Sequence, residues 1–97
     1  MSFAGVKRLA KEHPKWLPIV EECLECAKKY GEFAGSWVLN GVKKKGIKWF
    51  PGLRTLVAYG ILKRTDVTRS GRRAYYIMPD MEGVKKALQE LGLLKHK

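Results

Sequence analysis

Ninety-seven residues with 45% hydrophobic side chains and a formal charge of +11 suffice for one small domain with a real core, which excludes a disordered basic tail. The charge is one-sided: between Gly41 and Arg73 stand ten Lys or Arg and a single acid, Asp66, so +9 of the total falls in that third of the chain while both flanks are nearly neutral. Such a block repels itself when the chain folds, and its expected counterpart is a polyanion, with nucleic acid foremost.

In chain order, residues 2–11 form a short helix or arm through Phe3, Val6, Leu9 and Ala10. The opening MSFAGVKRLAKEHPKW lacks the uninterrupted apolar stretch of a signal peptide, and no apolar run approaches the ~20 residues that cross a bilayer. The expectation is a cytoplasmic, nucleoid-associated protein with no membrane partner. A strong helix follows from Pro14 or Lys15 to Tyr30, with Trp16, Val20, Cys23, Leu24 and Ala27 inward and Glu21, Glu22, Glu25 and Lys28 facing water. Pro18 is tolerated in its first turn, Lys28 and Lys29 suit its C-terminal dipole, and Gly31 stops it.

A second helix is predicted over 33–44, with Phe33, Ala34, Trp37, Val38 and Val42 inward, Gly46 as its stop, and a start that can slip to Ser36. A third begins near Pro51, a residue favoured at the first helical position, buries Leu53, Leu56 and Val57, and ends at Gly60. The period then changes to that of strands: 61–67, a turn at Thr68–Arg69–Ser70–Gly71, and a return over 72–78. Asp80 caps a last helix over 81–91 with Val84, Ala87, Leu88 and Leu91 on one face. Repeats and linkers are lacking, so 1–97 is read as one domain: arm or short helix 1–13, core 14–78, C-terminal helix 80–97.

Catalytic and metal signatures are weak. Cys23 and Cys26 form a C-x-x-C inside a helix, but only His13 and His96 could complete a zinc site, so both thiols are read as small buried side chains. No glycine-rich phosphate loop follows a strand, and no nucleophile–base pair stands out. The expectation is a non-enzyme without cofactor or metal. Scarce amides, only Asn40 and Gln89, beside plentiful Lys and Glu lean towards a thermophile.

Three helices and then a hairpin with a basic tip resemble a winged helix-turn-helix domain, an α+β fold: a three-helix core, a two- or three-stranded β wing and here an additional C-terminal helix. The resemblance is carried by Leu53-Arg-Thr-Leu56-Val-Ala-Tyr-Gly60-Ile-Leu62-Lys-Arg and by Ser70-Gly71-Arg72-Arg73-Ala-Tyr-Tyr76-Ile-Met78, and covers about half the chain. It implies a third helix in the major groove and a wing on the backbone or in the minor groove. Carried over, Arg54, Thr55 and Lys48 reach the DNA from the third helix, and Arg69, Arg72 and Arg73 from the wing. Lys43, Lys44 and Lys45 sit in the turn between helices, and Lys63 and Arg64 on the first wing strand, one of them on its exposed face.

The outward face of the third helix departs from the family pattern: Pro51, Gly52, Thr55 and Ala58 are small, and Asn and Gln are absent. Such a face favours phosphate contacts over base reading, so weakly specific binding is expected. Trp49 and Phe50 either stack on bases or plug the core; of Tyr75 and Tyr76, one faces in and one out. The favoured function is binding double-stranded DNA, as a transcriptional regulator or chromatin-associated factor. The alternatives are a ribosome-associated RNA binder and a protein-interaction module of a replication or transcription assembly. Leu88, Leu91, Leu93 and Leu94 of the last helix either pack on the domain or build a homodimer.

Overall fold

The computed structural model describes residues 2–67 and 74–92. The elements are α1 (Ser2–Glu12), a 3-10 turn (Pro14–Trp16), α2 (Leu17–Tyr30), β1 (Phe33–Ala34), α3 (Gly35–Lys44), α4 (Arg54–Ala58), β2 (Lys63–Val67), β3 (Ala74–Ile77) and α5 (Met81–Glu90). The strands make one antiparallel sheet in the order β1-β3-β2, with Phe33 opposite Tyr76, Ala34 opposite Tyr75 and Arg64 also opposite Tyr76. A Cα radius of gyration of 12.7 Å is that of a compact domain of about 100 residues. Among the described residues no helix is long and apolar enough to cross a membrane.

The core follows the helical stripes. Ile19, Val20, Cys23 and Leu24 of α2 meet Val38 and Val42 of α3, Leu56 of α4, and Val84, Ala87 and Leu88 of α5. The first helix is no loose arm: Val6 and Leu9 are fully buried, α1 packs along α5, and Lys7 pairs with Glu90 at 3.1 Å. Gly5 lets α1 touch the chain after α4, because a Cβ there would overlap the Tyr59 carbonyl oxygen. Asp80 caps α5 as expected, its Oδ1 accepting from the Gly83 N–H at 3.0 Å. The apolar face of α5 therefore lies within this chain's own core; Leu93 and Leu94 fall outside the described residues.

Three sequence expectations are corrected. Phe33 and Ala34 are buried as foreseen, but as the strand β1 paired to β3, so α3 starts at Gly35. The third helix does not begin at Pro51. Gly52 has φ +109°, a left-handed conformation no helix continues through, and α4 holds only the five residues from Arg54. The first hairpin strand starts at Lys63 instead of Ile61, because the Ile61 and Leu62 N–H groups both return to the Leu56 carbonyl, at 3.0 and 3.3 Å. With the Gly60 N–H on the Val57 carbonyl, this closes α4 in a Schellman motif whose Ile61 and Leu56 are both buried.

Candidate nucleic-acid interface

The basic surface starts at the end of α3. The Gly46 N–H bonds the Lys43 carbonyl at 3.0 Å and the Ile47 N–H the Val42 carbonyl at 2.9 Å, a second Schellman motif. It folds Ile47 back towards the core and leaves Lys43, Lys44 and Lys45 exposed, where cations complement the helix dipole. The chain then runs irregularly to Leu53. Lys48 is exposed, Phe50 packs on the core, and Trp49 stands edge-on to Trp16 at 5.2 Å. Trp49 stays 38% exposed with the Lys15 ammonium 5.9 Å from its ring, so it lies over the 3-10 turn instead of plugging the core.

Arg54 opens α4 and is exposed, whereas Thr55 beside it is half-buried. Lys63 and Arg64 on β2 are both exposed; as strand neighbours they leave opposite faces of the sheet. Tyr75 and Tyr76 are both half-buried, Tyr75 against Trp37 and Tyr76 against Phe33. Arg69, Arg72 and Arg73, the expected wing tip, lie outside the described residues.

The cations differ in electrostatic state. Lys45 Nζ stands 2.8 Å from Glu22 Oε1, near enough for an ion pair although the angles fall short of a well-aligned hydrogen bond. Glu22 was expected in water, but its side chain is only 12% exposed, because its carboxylate lies directly over Gly41, where any Cβ would overlap it. The close Glu22 carboxylate, ahead of the opposing effect of burial, holds the Lys45 ammonium above the ordinary lysine value. Lys43, Lys44, Lys48, Arg54, Lys63 and Arg64 have no ion-pair partner among the described residues. The sequence between Glu32 and Asp66 contains no acid at all.

One surface went unread in the sequence. Along α2, Glu22, Glu25, Cys26 and Lys29 recur at three- and four-residue steps, and along α3 so do Trp37, Asn40, Gly41 and Lys44. The two stripes face each other across a groove of about 470 Å³ that ends at Tyr30. Tyr30 lies 4.9 Å from Trp37 between ring centroids, and Trp37 meets Tyr75 edge-on at 5.8 Å. The helical spacing of an aromatic, an amide, a glycine and a lysine on α3 was the available signal.

Cys23 is sealed in the core, whereas Cys26 edges the groove. Cys23 and Cys26 are free and buried, and burial first of all raises both, Cys23 well above the ordinary thiol value. Among the described residues no group of three or more His, Cys, Asp or Glu side chains gathers as metal ligands. No protein-family model, curated protein or solved structure matches the chain.

Proposed function

We propose that this protein binds nucleic acid, duplex DNA in preference, through phosphate contacts from Lys43, Lys44, Lys48, Arg54 and one of the β2 pair Lys63 and Arg64, joined by Arg69, Arg72 and Arg73. One observation carries the reading: six exposed cations without an ion-pair partner among the described residues fall in a stretch with no acid from residue 33 to residue 65. Cations that served only solubility would be interspersed with acids, which lowers self-repulsion. A phosphate backbone relieves that repulsion and releases its own counterions.

The winged helix-turn-helix reading belongs to this proposal. It is supported by the order α2-β1-α3-α4-β2-β3 and by β3 lying between β1 and β2. Against a strongly base-reading mode stands the shape of α4. Five residues span only about 7.5 Å, and residues 45–53 separate α3 from α4 where a helix-turn-helix uses a turn of about three or four. With Thr55 half-buried, α4 offers Arg54 and little else to a base edge. Binding is accordingly weakly sequence-specific, as suits a chromatin-associated or auxiliary regulatory factor.

Charge reversal at two places tests this. Lys48→Glu with Arg54→Glu should weaken binding to a blunt 20-base-pair duplex by at least tenfold at moderate salt. Lys85→Glu with Lys86→Glu on α5 removes the same charge elsewhere and should change affinity far less. Equal losses from both pairs would mean that net charge alone, with no defined surface, attracts the polymer.

A further inference from the structure

The groove between α2 and α3 has a composition that phosphate binding does not require. Tyr30, at the α2 end, is 53% exposed, more than any other large hydrophobic side chain described. Its ring is braced by Trp37, which Tyr75 backs edge-on, so the platform is ordered before any ligand arrives. Asn40, one of two amide side chains in the chain, is exposed one helical turn from Trp37 and lines the same groove. Lys44 closes the row another turn on and abuts the phosphate surface through Lys43.

α2 and α3 run in opposite senses here, since Tyr30 at the end of α2 meets Trp37 near the start of α3, while Glu22 in the first half of α2 meets Lys45 just past the end of α3. The groove thus has an aromatic end, an amide in its middle, and a charged end. From Trp37 to Lys44 the span is about 10 Å, room for one base and its phosphate. Glu25 lines the α2 wall, and its negative charge makes the α3 wall the better side for an anion. Glu22 is already tied to Lys45.

We propose that this groove holds one unpaired nucleobase of a bound strand. The base stacks on Tyr30 and Trp37, Asn40 hydrogen-bonds its edge, and its phosphate rests on Lys44. This rests on the nucleic-acid reading above and sharpens it: the preferred ligand is a duplex that carries a single-stranded tail, not a fully paired one. Aromatic stacking tolerates any base, so the preference is for structure more than for sequence.

The test uses the full chain and three probes at one salt concentration: a blunt duplex, and the same duplex with a three-nucleotide 3′ or 5′ tail carrying 2-aminopurine. At least one tailed duplex should bind about tenfold tighter than the blunt one, with quenching of the 2-aminopurine. Tyr30→Ala, at an exposed helix end, should abolish the quenching and the tenfold gain while leaving blunt-duplex affinity unchanged. Tyr30→Trp should restore both. Equal wild-type affinity for all three probes, or equal losses on blunt and tailed probes in Tyr30→Ala, would overturn the groove proposal and leave the phosphate surface standing. Failure to bind any of the three would overturn both.

Discussion

The Tyr59 hydroxyl donates to a Glu12 carboxylate oxygen, with the Arg8 guanidinium 5.2 Å above the tyrosine ring. The hydrogen bond from Tyr59, outweighing the opposing effect of burial and helped by the charges of Arg8 and Lys11, holds the Glu12 carboxyl below its ordinary value. The same bond raises the Tyr59 phenol. A depressed carboxyl contributes stability above its unfolded value near about 4.3, and loses it as pH falls through the folded value. A raised phenol contributes below about 10 and loses it as pH rises through its folded value. The contact that ties α1 to the end of α4 therefore holds across neutral pH and fails at both extremes. Tyr59→Phe should move the Glu12 titration up towards that of an ordinary glutamate, read from its side-chain carboxyl resonance by NMR. An unmoved midpoint would assign the shift to the neighbouring cations alone.

At the scale of elements, α2 and α3 approach through Gly41. A glycine inside a helix costs about 1 kcal/mol against alanine, so Gly41→Ala on an open face would stabilise by about that much. Here the methyl overlaps the Glu22 carboxylate and the carbon chain behind it, and must displace Glu22 from Lys45. Gly41→Ala should accordingly lower stability by about 1 kcal/mol in urea unfolding, through loss of the ion pair and the crowding of a tight contact. In a Glu22→Ala background the same substitution should become stabilising. Destabilisation of similar size in both backgrounds would show that the close approach does not involve Glu22. The helices themselves were legible: α2 and α5 have long 3.6-residue stripes, and Asp80 caps α5 as read. The strand β1 was not, because two residues carry no period and their partner Tyr76 lies more than forty positions away. Nor was the late start of α4, where Pro51 reads as a helix opening but Gly52 at φ +109° breaks the path.

At the scale of the molecule, the charge block was legible at once, since composition alone isolates it. Its internal division was not. Glu22 and Lys45 are far apart in sequence, so their pairing emerges only when α2 and α3 are packed, and it takes one of three adjacent lysines out of the free set. The aromatic groove was hidden for a similar reason, being half on each helix and mixed in residue type. What remains is a small α+β domain whose described residues form five α-helices and a three-stranded sheet, one region of which bears cations that nothing described within the protein neutralises. The most direct test is the dependence of duplex affinity on salt between 50 and 200 mM, where each neutralised phosphate adds about 0.9 to the slope of log affinity against log salt. Contact by at least four of the cations gives a slope of about −3.6 or steeper. A slope flatter than about −1, or no binding at the low-salt end, would contradict a phosphate-binding surface.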